Sequence, residues 1–326
     1  MNMEQPHKRV KVSVCVVTYN QERYIEQCLR SIAEQHTDFH FEVFVSDDCS
    51  TDATRAIVET IACEYPQRVR PILQPVNLGM LANYRAVHEA ATAEFTCHCD
   101  GDDFWHPGKL QAQVDFLESQ PDCVSVFTNA NVIAEDGAHL GVFSSGVPAT
   151  FDASFLIRRG NFLNHSSMMY RTALRKRMMP LTPEFIDFEL YLALCRHGRL
   201  GFVDALLVSY RDQAFGSTIR TNNSKIRSLY WQALCTVDDQ LATADAYREA
   251  LSHFLASAAQ RELLHGSFAS YREWSDLVQS VSPDNFYIVR ASAVRLALAS
   301  ILRGLIARTR SLLKLSKTGK RVFYPR

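Results

Sequence analysis

The chain has 326 residues, 47% of them hydrophobic and 10% aromatic, and its 35 lysines and arginines balance 35 aspartates and glutamates. This composition is typical of a folded protein and excludes an intrinsically disordered one. The N-terminal "MNMEQPHKRVKV" has no apolar core, and no run reaches the roughly 18 apolar residues of a membrane span, so neither a signal peptide nor a transmembrane helix is predicted. Without an export signal, the nine scattered cysteines are expected to be reduced thiols.

The first part of the chain alternates between predicted strands and helices. The run "VKVSVCVVTY" predicts a strand buried on both faces, and "FEVFVSDD", "RPILQP", "AEFTCHC" and "CVSVFTNANVI" predict four more. Helical patterns begin near Tyr24, near Ser50, at Met80 and after Pro107. This alternation predicts an α/β fold, with a mostly parallel sheet flanked by helices.

The rest of the chain is less regular and then helical. Residues 145–219 mix loops with one helix in "PEFIDFELYLALCRHG", which Gly198 ends. From about Asn222 onward, the pattern is helical almost to the end of the sequence. We therefore expect a helical extension after the α/β region.

Acidic residues follow two of the predicted strands. Asp47 and Asp48 come after the second strand, and "DGDD" places Asp100, Asp102 and Asp103 after the fourth. In open α/β sheets, ligands bind at the carboxyl ends of the strands. Both groups could be solvated turns or helix caps, since Asp and Gly are common turn residues. The alternative is a divalent cation, which relieves the repulsion among the carboxylates and is shared with substrate phosphates.

Other ligand motifs are missing from the sequence. No G-x-G-x-x-G follows the first strand, which argues against a dinucleotide site, and the P-loop pattern G-x-x-x-x-G-K-[ST] does not occur. The "CHC" stretch does not predict a zinc site, because Cys97 and Cys99 would point to one face of a strand and His98 to the other.

Five segments, in their order along the chain, resemble the family-2 glycosyltransferases, which have the GT-A nucleotide-diphospho-sugar transferase fold. They are "SVCVVTYNQERYIEQCLRSI", "VSDDCSTDAT", "NLGMLANYRAVHEAATAEF", "CDGDDFWHPGKL" and "FIDFELYLALCRHG". The resemblance implies a GT-A catalytic domain over residues 1–219, followed by a helical C-terminal region over residues 220–326 with a basic amphipathic tail.

The resemblance also implies roles for individual residues. The residues expected to bind the nucleotide are Thr18, Tyr19, Asp47, Asp48 and Asp100. Asp100 and Asp102 match the metal-binding Asp-x-Asp, with Asp102 favoured as the direct ligand. Asp103 is expected to contact the ligand residues and not the metal itself. Asp187 matches the catalytic base; the alternative is a helix-start residue that complements the helix dipole. His165 lies where the family lines its acceptor pocket and is a candidate for that role, although a structural histidine is the favoured interpretation there.

Two positions depart from the family pattern. Where the family often has Tyr-Arg-x-His, this chain has "YRDQ", so that Gln213 replaces the histidine and is a poorer ligand or phosphate partner. Cys49 follows Asp48 at a position where Gly or Asn is commoner.

The function that the resemblance implies is transfer of a sugar from a nucleoside diphosphate to an acceptor hydroxyl, with inversion at the anomeric carbon. Mn²⁺ or Mg²⁺ would make the diphosphate a good leaving group, so one carboxylate suffices as the base. Bacterial surface polysaccharide or lipopolysaccharide biosynthesis is the typical setting, with a saccharide or lipid-linked saccharide as acceptor, and no nucleic acid is expected as a partner. Two alternatives remain, a non-catalytic nucleotide- or sugar-binding protein on the same fold and a nucleotidyltransferase.

The C-terminal tail is strongly basic. After Asp284 the sequence has ten lysines and arginines and no acidic residue, so the preceding residues carry a net charge of −10. Apolar residues at helical spacing in this tail are Leu298, Ile301, Leu302, Leu305 and Ile306. An interfacial helix on an anionic membrane explains the pattern, and a helix docked on the acidic body is the alternative. The protein is therefore expected to be cytoplasmic, with the first interpretation placing it on the inner face of the cell membrane.

Overall fold

The computed structural model describes residues 10–179, 184–212, 223–265, 269–312 and 321–324. The chain divides into two compact units. The first contains residues 1–151, 162–229 and 321–326, and the second contains residues 152–161 and 230–320. The predicted domain boundary after residue 219 falls outside the described residues and stays a prediction.

The first unit is built on one large sheet, whose N-terminal half is parallel. Its first four strands are β1 (Val10–Thr18), β2 (His40–Asp47), β3 (Val69–Leu73) and β4 (Phe95–Asp100). The helices that follow these strands are α1 (Ile25–Ala33), α2 (Thr54–Glu64), α3 (Met80–Ala90) and α4 (Lys109–Ser119). β1 pairs in parallel with β2 and β4, and β2 pairs in parallel with β3. Each predicted strand and helix of this half is present.

The other half of the sheet contains antiparallel pairs. Its strands are β5 (Phe104–Trp105), β6 (Cys123–Ile133), β7 (His139–Ser144), β8 (Thr150–Phe151), β9 (Met169–Arg171), β10 (Arg199–Arg211) and β11 (Val322–Tyr324). β9 joins the two halves by pairing antiparallel with β4 and β6, while β6 and β10 are parallel. The predicted α/β class with a mostly parallel sheet is confirmed, although these antiparallel pairs were not predicted.

β1 is buried on both faces, as its apolar run predicts. Val14 and Val16 pack in a cluster with Ile25 and other residues of α1 on one side of the sheet. Cys15 packs on the other side, against Val87 of α3. Burying one aliphatic side chain contributes roughly 1.5–3 kcal/mol, so this layered core holds the carboxyl end of β1 firmly in place.

The remaining helices include the short α6 (Arg175–Met178) and α7 (Asp187–Cys195) of the first unit. The other helices are α5 (Ala153–Arg159), α8 (Asn223–Cys235), α9 (Ala244–His265), α10 (Ala269–Val281) and α11 (Phe286–Leu312). In the second unit, Leu255 of α9 packs in one cluster with Ala293 and Ala297 of α11. In the described part of the chain, every helix is too short or too polar to cross a bilayer. The last described residues form β11, which pairs with β7 in the first unit.

Candidate active site

Three parallel strands bring the predicted nucleotide and metal residues to one edge of the sheet. In the register of β1 with its two neighbours, Thr18 pairs with Asp47 and Val17 pairs with Asp100. The carboxyl ends of β1, β2 and β4 therefore lie side by side. The two acidic groups, which are far apart in the sequence, meet at this edge.

Asp47, at the end of β2, is fully buried. Its carboxylate accepts hydrogen bonds from the Ser50 hydroxyl and, at 3.3 Å, from Arg55 Nε. The same guanidinium donates to the Gln74 carbonyl at 2.6 Å. Asp47 therefore holds the turn between β2 and α2 closed, and its oxygens face protein donors.

Asp48 is also engaged by protein donors. One of its carboxylate oxygens accepts the Leu78 N–H at 2.7 Å and the other accepts the Gly79 N–H at 3.0 Å, which ties the end of β2 to the loop before α3. Thr18 Oγ1, at the end of β1, is buried with no hydrogen-bond partner among the described residues. Tyr19 beside it is exposed. Of these residues, Thr18 leaves a polar atom that a ligand can satisfy.

The segment from Asp100 to Asp103 turns sharply against β1. Gly101 donates its N–H to the Val17 carbonyl at 2.9 Å. A Cβ at this position would lie 2.4 Å from Gln21 Oε1 and 3.0 Å from the Val17 carbonyl oxygen. A side chain here would have to displace Gln21 and would crowd the Val17 carbonyl, so glycine favours the close approach of the turn to β1.

The three carboxylates of this turn have different electrostatic surroundings. Burial by itself would raise the pKa of Asp100, but hydrogen bonds from His98 and Ser166 bring it down to about 2. Burial and the charge of Asp100 raise the pKa of Asp102 to about 7. Burial and both neighbouring carboxylates raise the pKa of Asp103 well above its usual range. The cluster therefore retains protons near neutrality unless a cation relieves the repulsion.

Asp103 points into the protein. Its Oδ1 accepts the Arg211 N–H at 2.9 Å, and Arg211 Nε donates to the Asp102 carbonyl at 3.1 Å. Arg211 ends β10, and its guanidinium lies 4.6 Å from the ring centroid of Tyr24. These contacts fix the backbone of the turn, whereas none of the described side chains donates a hydrogen bond to the Asp102 carboxylate.

Asp100 and Asp102 offer the oxygen ligands that Mg²⁺ and Mn²⁺ prefer. In the stretches that the structure describes, no group of three or more His, Cys, Asp or Glu could hold a metal by itself. Mg²⁺ commonly binds through one or two carboxylates and fills its other positions with water and substrate phosphates. The donor set therefore fits a cation that is bound together with a diphosphate.

Asp187 is the first residue of α7, and Phe185 just before it lies 5.8 Å from Tyr84 between ring centroids. Burial raises the pKa of Asp187 to about 7, and the charge of Asp100 contributes to the increase. Burial also raises the pKa of Tyr84 on α3, again with contributions from Asp187 and Asp100. The fold thus brings Asp187 near Asp100 from a distant part of the sequence, as a carboxyl group that can accept a proton near neutral pH.

His165 lies in the short 3₁₀ turn His165–Ser167 and is buried. Its Nδ1 is 3.2 Å from the Tyr191 hydroxyl, and its Nε2 has no partner among the described residues. Burial lowers the pKa of His165 to about 3, so the ring is neutral at physiological pH. A neutral imidazole with one unsatisfied nitrogen can hydrogen-bond to a ligand hydroxyl.

Comparison with known families identifies the chain. The family model described as Glycosyl transferase family 2 matches residues 13–178, which is more than half of the sequence. The chain belongs to glycosyl transferase family 2. The matched range includes the Asp47–Asp48 and Asp100–Asp103 turns and ends before Asp187. The family predicted from the motifs is confirmed.

Two relatives of this family-2 chain illustrate how far the likeness extends. Rv1520, an uncharacterized protein of Mycobacterium tuberculosis, is 37% identical over 209 residues, which cover 63% of this chain and 60% of Rv1520. The match thus spans less than two thirds of that relative's length. TarS of Staphylococcus aureus, a poly(ribitol-phosphate) β-N-acetylglucosaminyltransferase, is 33% identical over 171 residues, which cover 51% of this chain and 28% of TarS.

Solved structures share the fold of this family-2 chain. A structure of TarS in complex with UDP-GlcNAc aligns with a TM-score of 0.54 at 19% identity, over 88% of this chain and 89% of the TarS chain. The mannosyltransferase PcManGT from Pyrobaculum calidifontis, in complex with GDP-Man and Mn²⁺, aligns with a TM-score of 0.53 at 17% identity, over 91% and 90% of the two chains. At these identities the likeness shows the fold alone.

Several residues of the site were not predicted from the sequence. They are Tyr84, His88, His98 and Arg211. Arg211 had a signal in the "YRDQ" motif, whereas the aromatic and histidine rings lie on separate elements and meet only when α3 packs against the sheet. Gln213 lies outside the described residues, so its comparison with the family's histidine stays a prediction.

Proposed function

We propose that this family-2 protein is an inverting glycosyltransferase that transfers a sugar from a nucleoside diphosphate to an acceptor hydroxyl with the help of Mn²⁺ or Mg²⁺. The observation that carries the proposal is the convergence of the start of α7 on the Asp100 turn: the rings of Phe185 and His98 both contact Tyr84, and His98 bonds to Asp100. The complexes of TarS with UDP-GlcNAc and of PcManGT with GDP-Man and Mn²⁺, on the same fold, support a nucleotide-sugar donor.

Asp187 is the general base in this proposal. A carboxyl group with a pKa of about 7 is substantially ionised at neutral pH and is a much stronger base than an ordinary aspartate. It can therefore take the proton of the acceptor hydroxyl as that oxygen attacks the anomeric carbon. A single base and a single displacement invert the configuration there, and a protein that only binds a nucleotide sugar would need no such base.

The donor is held at the strand ends. Asp100 and Asp102 would hold the cation, which neutralises the charge of the diphosphate leaving group when it is bound. On the nucleotide side, the hydroxyl of Thr18 and the remaining lone pairs of Asp48 face the base or ribose, Tyr19 covers it, and Asp47 shapes the turn. His165 belongs to the acceptor side.

The relatives support a proposal for the acceptor and the pathway. TarS modifies poly(ribitol-phosphate), as its name states. A saccharide acceptor in the assembly of a bacterial surface polysaccharide or lipopolysaccharide is therefore our proposal for this chain.

The proposal is tested by thermal-shift measurements with UDP, GDP and dTDP, each in Mn²⁺ and in EDTA. A ligand that binds only the folded state stabilises it by about 2.7 kcal/mol at 100 times its Kd. We expect at least one nucleotide to raise the Tm in Mn²⁺ and not in EDTA. Equal stabilisation in EDTA would remove the cation from the proposal, and a retained anomeric configuration in the NMR spectrum of the product would remove the single displacement.

We also propose that α11 attaches the enzyme to an anionic membrane. Its exposed apolar residues are Tyr287, Ile288, Val294, Leu298, Leu302 and Ile306. At 3.6 residues per turn they form a stripe roughly 120° wide. The opposite face, which includes Val289, Ala293 and Ala297, is buried. The helix therefore has one apolar face toward its own unit and a second toward solvent.

Basic residues accompany this exposed stripe. Arg290, Arg295 and Arg303 are on the same helix, which has no acidic residue. An amphipathic helix of this kind binds with its apolar face at the acyl boundary and its cations among anionic head groups. Each basic residue near such a surface contributes about 1 kcal/mol. The exposed apolar stripe favours an interfacial helix over a helix docked on the acidic body. A membrane location would also suit a lipid-linked acceptor.

Liposome cosedimentation tests the attachment. Wild-type protein should cosediment at low salt with vesicles that contain phosphatidylglycerol and not with vesicles of phosphatidylcholine alone. The double variant L298S/L302S should stay in the supernatant, while L277S, which changes an exposed leucine of α10, should bind as wild type does. Wild-type protein that stays in the supernatant with both kinds of vesicle would favour the docked helix.

A further inference from the structure

Behind Asp100, a chain of three hydrogen bonds runs into the core of the first unit. The Tyr170 hydroxyl is 2.9 Å from His88 Nδ1. His88 Nε2 is 3.1 Å from His98 Nδ1, and His98 Nε2 is 3.1 Å from Asp100 Oδ1. Tyr170 is on β9, His88 on α3, and His98 on β4 two residues before Asp100. Four side chains from three elements thus form one continuous path.

The path begins in a dry interior and ends at the site. Tyr170, His88 and His98 are fully buried, whereas the side chain of Asp100 is 42% exposed. Burial lowers the pKa of His88 well below its usual range, with His98 adding to the effect, so the His88 ring is neutral. A neutral imidazole has one donor nitrogen and one acceptor nitrogen, so His88 passes on a single direction of hydrogen bonding.

The carboxylate fixes the last link of the path. Ionised Asp100 only accepts hydrogen bonds, so His98 Nε2 donates to it. The neutral ring of His88 donates through one nitrogen and accepts through the other, so it links His98 Nδ1 to the Tyr170 hydroxyl.

The rings are held in place by stacking as well. Tyr84 stacks on His88 with ring centroids 4.1 Å apart and lies 4.9 Å from the ring of His98. The centroid of the His165 ring lies 4.3 Å from the centroid of the His98 ring. These contacts restrict rotation of His98, so the hydrogen bond to Asp100 has a fixed direction.

We propose that Tyr170, His88 and His98 form a positioning relay that sets the orientation of the Asp100 carboxylate toward the cation and diphosphate of the donor. His98 donates to Oδ1, and Ser166 Oγ donates to Oδ2 at 3.3 Å. A carboxylate has about four lone-pair sites, so a free site remains on each oxygen for a ligand. The inference rests on the proposed function, because it assigns Asp100 a cation to face. His98 is a positioning residue in this scheme and does not touch the donor.

The tautomers provide a test that needs no metal. In a long-range ¹H–¹⁵N spectrum of the ¹⁵N-labelled full chain at pH 7, His98 should carry a proton on Nε2, and His88 should show a neutral ring. H88F and H98F assign the two signals among the eleven histidines, and Y170F should shift the His88 Nδ1 resonance. An unprotonated Nε2 on His98, or protons on both nitrogens of His88, would overturn the relay.

The second test measures Mn²⁺ affinity by electron paramagnetic resonance in the presence of UDP, GDP or dTDP, whichever stabilises the wild type. Residues that orient metal ligands typically change metal affinity by about 10–100-fold when they are replaced. We expect a loss of this size in H98F, recovery of most of it in H98Q, whose amide still donates, and a smaller loss in Y170F. Y191F removes an equally buried hydroxyl that bonds to His165 outside the relay, and it should bind Mn²⁺ as wild type does.

The outcomes separate this inference from the proposed function. Folded H98F that binds Mn²⁺ as tightly as the wild type overturns the relay and leaves the glycosyltransferase proposal intact. Wild-type protein that binds no Mn²⁺ with any of the three nucleotides overturns the metal-dependent function, and the relay with it. A purely structural role for these rings would lower the Tm of H98F and Y170F without changing their Mn²⁺ affinity.

Discussion

The turn after β2 and the turn after β4 both carry adjacent carboxylates, yet only the first supplies them with protein donors throughout. Asp47 accepts from Ser50 and Arg55, and Asp48 accepts from two backbone N–H groups. In the second turn, Asp102 receives no hydrogen bond from the described side chains, and burial and Asp100 raise its pKa to about 7. The two groups of acidic residues therefore serve different purposes, and the donors around them decide which.

The difference in hydrogen-bond donors also predicts that one turn stabilises the fold and that the other serves function. Carboxylates that accept hydrogen bonds in the folded state stabilise it, whereas buried carboxylates that repel one another destabilise it. The turn after β2 is expected to be a scaffold, and the turn after β4 a region whose strain a bound ligand relieves. Substitutions in the two turns should therefore have opposite effects on stability.

The largest effect is expected at Asp187, which extends the second turn's cluster. Asp187→Asn should reduce kcat by about 10²–10⁴-fold, the contribution typical of a general base. Donor binding should be retained, because the proposal places Asp187 on the acceptor side. Single-turnover rates, together with nucleotide affinity from thermal shifts, would measure both quantities.

Glu189→Gln is the matched control for that variant. Glu189 lies in the same first turn of α7, and burial raises its pKa as well. If proximity to Asp100 defines the base, Glu189→Gln should turn over at close to the wild-type rate. Equal losses in the two variants would indicate a general requirement for charge at the start of α7.

The next effect concerns stability and has opposite signs in the two turns. Asp47→Asn would place an amide against Arg55 and should cost about 1.5–3 kcal/mol, the contribution of hydrogen bonds to charged groups. Asp102→Asn removes a carboxylate that repels Asp100, and it should raise the Tm of the metal-free protein at pH 8. For a domain of this size, 1 kcal/mol corresponds to roughly 2–4 °C. Differential scanning calorimetry in EDTA would measure both changes.

The gain in Asp102→Asn should depend on pH. Because the pKa of Asp102 is raised from 3.8 to about 7 on folding, the folded state holds a proton that the unfolded state releases between these values. Wild-type stability therefore falls as pH rises through this range. The Tm difference between the variant and the wild type should be small at pH 5 and largest above pH 7; a constant difference would mean that Asp102 does not titrate as proposed.

A smaller effect is expected in the pH profile of the reaction. The base must be ionised, and burial and Asp100 place the pKa of Asp187 at about 7 in the free enzyme. Therefore kcat/KM should rise with pH through about 7 and level off above it, since kcat/KM reports the groups of the free enzyme. A profile that is flat between pH 5.5 and 8.5 would exclude a base with this pKa.

The sequence predicted the parallel half of the sheet well, because β-branched runs such as β1 are long and their burial on both faces leaves a clear pattern. It missed β7, the 13-residue β10 and β11, and also β5, β8 and β9. Register shifts in the pairing of β10 with β6 interrupt the alternating pattern of β10. β5, β8 and β9 have two or three residues each and are stabilised by pairing with distant strands. Strands this short have no periodicity to detect.

For the site, the density of carboxylates indicated the turn after β4, and the family motif indicated Asp187. Neither pattern predicts which oxygens accept protein donors. The bonds of Asp48 to Leu78 and Gly79 and the contact of His88 with His98 depend on how loops and α3 pack against the sheet. Such contacts are tertiary, so the sequence alone could not assign them.

The smallest predicted effect concerns the backbone conformations of the two turns. The turn after β4 has Gly101 at its close approach to β1, but the turn after β2 has Cys49 with a φ of 61°, in the left-handed region. This conformation costs a non-glycine residue about 1–2 kcal/mol. Glycine would avoid that cost but lose about 0.5–1 kcal/mol of chain entropy on folding. Cys49→Gly should therefore be more stable by about 0.5 kcal/mol, measured as a shift of the urea midpoint at constant slope.

Asn20 provides the contrast, because it also has a positive φ, of 52°. Its Oδ1 accepts the Thr51 N–H at 2.8 Å, so its side chain stabilises the same turn that Cys49 strains. Asn20→Gly would relieve the backbone and lose this hydrogen bond, which is worth about 0.5–1.5 kcal/mol. We expect Asn20→Gly to lower the urea midpoint while Cys49→Gly raises it. If both variants shift the midpoint in the same direction, backbone strain at Cys49 does not limit the stability of the turn.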